Sequence, residues 1–199
     1  NKGFISQNSF KYLNENRQSG QFDYDYKKND FDTSLYAQQL ITNRMEFYGK
    51  TGWVLPTEKY NSFGIQYSAV NHQQEGFYGL RNYTGVQTNA TARLLFNSQF
   101  NKYNTLNTGL SYKHDETNEK LDTFIIDRIQ NIPGVFIENA FEKNKIISLI
   151  TGVRADYYNN RIFITPRANI KYSLAEKTDL RASIGTGWKV VDCLLYTSP

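Results

Sequence analysis

Two histidines, His72 and His114, are the only ones in this 199-residue chain. Glu75 follows the first; Asp115 and Glu116 follow the second. Imidazole nitrogens beside carboxylate oxygens are the donor set of a divalent metal site. The simpler reading is two solvated histidines at strand ends leading into loops. A Ser–His pair oriented by a third group would make a nucleophile, but no local pattern singles out one serine among many. No catalytic residue, metal set or cofactor is therefore expected, and the chain does not read as an enzyme. A separate cluster, Phe77, Tyr78, Arg81 and Tyr83, joins aromatic faces to a guanidinium. It suits an anionic aromatic ligand, and equally a self-packed loop. Tyr78, Arg81, Tyr83, His72 and His114 are the candidate ligand-contacting residues.

The elements that must position these groups are strands. From Asn43 onward apolar and polar residues alternate. Met45, Phe47, Thr51 and Trp53 share one face against Arg44, Glu46, Tyr48 and Lys50. Phe63, Ile65, Tyr67 and Ala69 then oppose Ser62, Gln66 and Ser68; Ala90, Ala92, Leu94 and Phe96 oppose Thr91, Arg93 and Asn97. The rhythm is clearest from Pro133 to Trp188. Period-two alternation buries one face of a strand and wets the other. The runs reach about a dozen residues, close to the 9–11 or so that cross a bilayer. Eight clear strands are expected, with one or two uncertain ones before them. Phe4 to Leu13 is a possible strand, and Asn14 to Asp32 reads as a long loop.

Connections alternate in length. Short turns fall at 56–59, 101–104, 142–145 and 175–177, and each contains a lysine. Longer loops are expected at 71–85 and 114–132, with a shorter one near 158–161. Within the second long loop, Phe124 to Ile126 could add a short strand. Short turns on one side and long loops on the other are the layout of an outer-membrane barrel. An apolar-phase aromatic precedes each short turn: Trp53, Phe100, Phe141 and Tyr172. These four are expected at one depth, as an interfacial girdle. Arg93, Glu138, Arg154, Asp156, Arg167 and Arg181 fall in the opposite phase and are expected to face the lumen.

Composition narrows the class. Aromatics are 15% of residues, yet the chain carries 21% charged residues and its mean hydropathy is −0.62. A wet lumen inside an aromatic-banded barrel combines both properties. No uncharged apolar run approaches the 18 or so residues of a membrane helix. The net charge of +4 is spread among strand positions of both signs, so no nucleic-acid partner is expected. The single cysteine, Cys193, excludes an intrachain disulfide framework. The expected fold is all-β: an antiparallel up-and-down meander of about 8–10 strands, part of a larger transmembrane barrel. A soluble β-sandwich is the competing fold. It would place Met45, Phe63, Leu94 and Ile147 in a water-free core.

Several words carry a family resemblance. They are Pro133-Gly134-Val135-Phe136-Ile137-Glu138, Gly152-Val153-Arg154-Ala155-Asp156-Tyr157, Thr165-Pro166-Arg167, Glu176-Lys177-Thr178-Asp179-Leu180-Arg181-Ala182-Ser183 and Gly185-Thr186-Gly187-Trp188-Lys189. Lys50-Thr51-Gly52-Trp53-Val54-Leu55-Pro56 is similar in kind. In this order they resemble the barrel of TonB-dependent outer-membrane receptors of the Bacteroidota type, over most of residues 43–189. The resemblance implies a piece of a 22-stranded barrel with a plugged lumen. It implies import of a scarce nutrient, a metal–siderophore complex or cobalamin. The implied partners are outer-membrane lipid, the nutrient ligand and the TonB complex, the last reached through a plug. The chain shows no plug or coupling motif and starts without Met, so residues 1–189 read as a barrel fragment. Residues 190–199, where alternation stops, read as a non-native or out-of-frame tail. A non-transporting adhesin or structural barrel is the alternative function.

Overall fold

The computed structural model describes residues 3–26, 35–56, 60–144, 146–175 and 178–190. The expected tail falls almost wholly outside them. The described residues form one nine-stranded antiparallel sheet: β1 (Gly3–Gly20), β2 (Ala37–Val54), β3 (Asn61–Tyr78), β4 (Arg81–Gln99), β5 (Asn104–Leu121), β6 (Phe124–Lys143), β7 (Ile147–Tyr158), β8 (Arg161–Ala175) and β9 (Thr178–Gly185). Each strand pairs with the next in sequence, and the order never crosses over. The one register shift lies between Ser173 and Ala175. The uncertain first strand is therefore real, and it runs past Leu13 to Gly20.

Two expected long loops are corrected. β3 continues to Tyr78 and β4 starts at Arg81, so the connection is the pair Gly79-Leu80. β5 likewise reaches Leu121 and β6 starts at Phe124, across Asp122-Thr123. Residues 14–20, read as loop, also belong to a strand. The physical reason is common to all three. Beyond the apolar band both faces of a strand are wet, so the period-two signal vanishes while backbone pairing continues. Gly79 and Asp122 take positive φ of 59° and 52° to reverse the chain. Asn159 and Asn160 both take positive φ, 49° and 58°, which suits the tight primed turn joining β7 to β8. At the opposite end, Asn101 Oδ1 accepts from the backbone N–H of Tyr103 (2.9 Å) and Asn104 (3.0 Å), an Asx-type stop between β4 and β5.

The register tilts the sheet. Pairing at the short-turn end closes at Val54↔Ser62, Gln99↔Thr105, Lys143↔Ile147 and Ala175↔Thr178. Traced across the pairs Ser62↔Asn97, Thr105↔Ala140 and Ile147↔Tyr172, these ends descend by two, three and three residues per pair of strands. A slip of roughly 1.3 residues of about 3.3 Å, per strand spacing of about 4.8 Å, gives a tilt of roughly 40°, within the barrel range.

Apolar positions of all strands share one face. One row runs Phe4–Trp53–Phe63–Phe96, and the next runs Leu94–Leu110–Val135–Ala155–Ile164. Neighbouring rings touch along the first: Phe4–Trp53 at 5.4 Å and Phe63–Phe96 at 4.8 Å between centroids. Met45, Phe63 and Leu94 remain 53%, 49% and 50% exposed. Among the described residues no second sheet covers them, as a sandwich would require. Leu94 lies mid-way along the apolar stretch of β4, and Arg93 lies on the other face. Leu94→Arg is expected to cost about 2–4 kcal/mol of insertion free energy and to deplete the heat-modifiable, folded band from membranes. Arg93→Leu should leave that band nearly unchanged, and equal loss in both would reverse the assigned faces.

Candidate functional site

The opposite face is concave and polar. A trough of about 800 Å³ runs across it, lined from Ile5 on β1 to Thr186 beyond β9. The paired glycines Gly52 and Gly64 line it without side chains. Every charge assigned by alternation to the lumen lies on this face, and most are paired with a neighbour. Arg44 Nε meets Glu46 at 2.5 Å, and Lys11 reaches the same carboxylate at 4.0 Å. Arg167 bonds Glu138. Lys171 and Arg181 hold Asp179 at 3.2 and 3.4 Å. The Ser173 hydroxyl first, and the Lys171 ammonium next, keep the Asp179 carboxyl below the usual carboxylate range.

The tightest cluster centres on Asp156, which is 5% exposed. Arg154 Nε lies 2.8 Å from both its oxygens, and Arg154 Nη2 also donates to Ser111 Oγ at 2.9 Å. Trp188 adds its indole N–H to Asp156 at 3.2 Å and stacks on Phe163, 4.2 Å between centroids at 14°. Gly134 makes room for this. A Cβ there would stand 2.1 Å from Asp156 Oδ1 and 2.8 Å from Ser111 Oγ. Sequence reasoning named Arg154 and Asp156 but missed Ser111, Gly134 and Trp188 as their support. A glycine in the polar phase of a strand was the available signal.

The candidate ligand residues separate into groups. Tyr78 and Tyr83 face the concave side at the far rim, their rings edge-to-face at 6.0 Å, with Arg81 paired opposite Tyr78. Burial first, and the neighbouring Tyr36 next, push the Tyr78 phenol upward, so it stays neutral. His72 lies on the same face within β3, three repeats of the pleat from Tyr78, and its Nδ1 is buried without a hydrogen-bond partner among the described residues. His114 is on the convex face, where its Nδ1 meets Asn131 Oδ1 at 2.8 Å. Strand alternation parts His72 from Glu75 and His114 from Asp115, while Glu116 stays on the face of His114 with its carboxylate 4.0 Å from Nε2. Both histidines thus sit inside strands rather than at loop entries. A buried polar group was not foreseen. Asp115, 3% exposed, accepts from Asn89 (2.7 Å) and Thr117 (3.2 Å). It escaped notice because the segment read as loop.

A tilted antiparallel meander with an exposed apolar convex face and an ion-paired concave face defines a wall segment of a large membrane barrel. The comparisons agree. The family model described as "TonB dependent receptor-like, beta-barrel" matches residues 1–192. The chain belongs to that family, whose members are outer-membrane proteins. The alcaligin outer-membrane receptor FauA from Bordetella pertussis superposes with a TM-score of 0.64 at 12% identity, covering 90% of this chain and 32% of that one. The copper transporter OprC superposes at 0.55 and 13% identity, covering 88% and 36%. These likenesses show the fold, and the chain spans about a third of either structure. No curated protein matches by sequence.

Gly134→Ala tests the Asp156 cluster. It should displace the carboxylate from Arg154 and lower stability by about 1–3 kcal/mol, as overpacking does. Thermal unfolding in detergent reads this directly. An unchanged midpoint would mean that the cluster relaxes without cost.

Proposed function

We propose that this chain is wall and rim of an outer-membrane importer for a scarce nutrient complex, energised through TonB. The carrying observation is the pairing of an apolar convex band with a polar trough of about 800 Å³, on a family barrel. A chelated metal is the favoured cargo, because the structural neighbours are an alcaligin receptor and a copper transporter. Cobalamin is the second choice. Tyr78, Arg81 and Tyr83 would meet the ligand at the outer rim, and His72 deeper in the lumen. A plug elsewhere in the protein would couple to TonB, and the chain would contribute no catalysis.

Trp53, Phe100, Phe141 and Tyr172 form the inner interfacial girdle in this reading. The register supports it. Phe141 is four residues beyond the row of Trp53 and lies four strands on; Tyr172 is six beyond and lies six strands on. Such a descent matches tilted strands at constant depth. Phe100 sits one row lower than the trend. At the outer side, Tyr12, Tyr112 and Tyr157 donate to Asn43 (3.5 Å), Asn131 (2.7 Å) and Asn160 (2.9 Å). Eight to ten residues separate the two levels, which projects to roughly 20–25 Å at this tilt, near the expected apolar band.

Deleting the gene in its host should reduce uptake of a ferric siderophore or of cobalamin at least tenfold. A protonophore should reproduce the loss in the undeleted strain. Unchanged uptake of both, with reduced surface attachment, would replace the importer with an adhesin.

A further inference from the structure

Of the four cations that line the trough, Arg154 and Arg167 are paired with Asp156 and Glu138. Among the described residues Lys50 and Arg93 have no acidic partner. They share one row of the register, Gln7↔Lys50↔Gln66↔Arg93↔Ser111. Two strand spacings place their Cα atoms about 10 Å apart. Gln66 stands between them with an amide that can donate, and Gln7 flanks Lys50. Lys50, Gln66 and Arg93 are all exposed, and all three line both the main trough and a second hollow beside it. From Gln7 to Ser111 the row carries no acid; its first acid, Asp156, comes two strands further on through Gly134 and is already held by Arg154.

We propose that the Lys50–Gln66–Arg93 row seats a small dianion whose charged ends bridge the two cations, a polycarboxylate being the fitting class. Three arguments support it. Unpaired like charges on a concave, low-dielectric wall repel each other and focus potential outward. The wall neutralises its other trough cations, so two left free on one row mark the place where an outside charge arrives. The donors also differ in kind. Arginine offers a planar fork suited to a carboxylate, lysine a point charge, and Gln66 a neutral donor between them. A dianion spanning the row meets all three at once, whereas a monoanion meets one cation.

This deepens the reading of the concave face as an import path and rests on it. Its test needs no transport. The full-length protein, in non-ionic detergent at low ionic strength, is titrated calorimetrically with tricarballylate, a tricarboxylate that binds metals poorly, and with acetate. Saturable tricarballylate binding and no acetate binding are expected. Lys50→Gln and Arg93→Gln should each weaken it at least tenfold, the scale of one charge-assisted hydrogen bond. Arg93→Lys should recover part of the loss, and Lys171→Gln, at the short-turn rim, should change nothing. Heat-modifiable mobility confirms that each variant is folded. Absence of saturable binding, or equal binding by the Gln variants, overturns the proposal. If the unaltered protein binds no tricarballylate while the double Gln variant loses thermal stability, the row is neutralised by a carboxylate of the protein itself. That result also overturns it. None of these results alters the uptake test, so the two readings fail separately.

Discussion

Hydrocarbon cannot hydrogen-bond a peptide group, and that constraint organises everything else in this chain. A strand in lipid must give both its backbone edges to neighbours. Here each of seven inner strands is paired on both sides by the next strand in sequence. Among the described residues β1 and β9 each pair on one side only, as edge strands of an unclosed wall segment do. The same ladder sets the tilt, because each pair of strands closes two or three residues lower than the last. Tilt sets the height of the apolar band, and the band sets which side chains meet lipid.

Alternation then divides the chemistry between two surfaces. The convex face holds aromatic and aliphatic side chains whose exposure near one half would be costly in water. The concave face gathers the charges and resolves most of them locally. Arg154, Asp156 and Ser111 show what that requires: a buried carboxylate with two guanidinium contacts, an indole N–H, and a glycine standing aside. Burying such a charge is tolerable only with its partners in place. The buried Asp115 solves the same problem with amides and a hydroxyl as close donors and the Lys113 ammonium at 3.8 Å. Among the described residues, Lys50 and Arg93 are the trough cations that these networks leave without an acidic partner.

Much of this was legible in the residues. Met45, Phe63, Leu94 and Ile147 announced their face by period alone, whereas the expected contrast of short turns with long loops did not hold, since Gly79-Leu80, Asp122-Thr123 and Asn159-Asn160 each join two strands by a pair of residues. Arg93, Glu138, Arg154, Asp156, Arg167 and Arg181 were read as one phase, and the register puts them on a single face. The misreadings share a cause. Asn71–Tyr78 and His114–Leu121 are polar on both sides, since both sides are wet beyond the band. A periodic signal needs contrast between two solvents, and there was none. His114 was grouped with His72 by residue type, yet an even–odd difference in strand phase puts them on opposite faces.

The sequence by itself therefore determined the class of fold, the two faces and the membrane-crossing strands, because these depend on side-chain polarity at neighbouring positions. Only the tertiary structure decided the register, and with it the tilt, the Asp156 cluster and the shared row of Lys50, Gln66 and Arg93. Those depend on hydrogen bonds between residues tens of positions apart. Their partner choice is fixed by ladder geometry that no local pattern encodes.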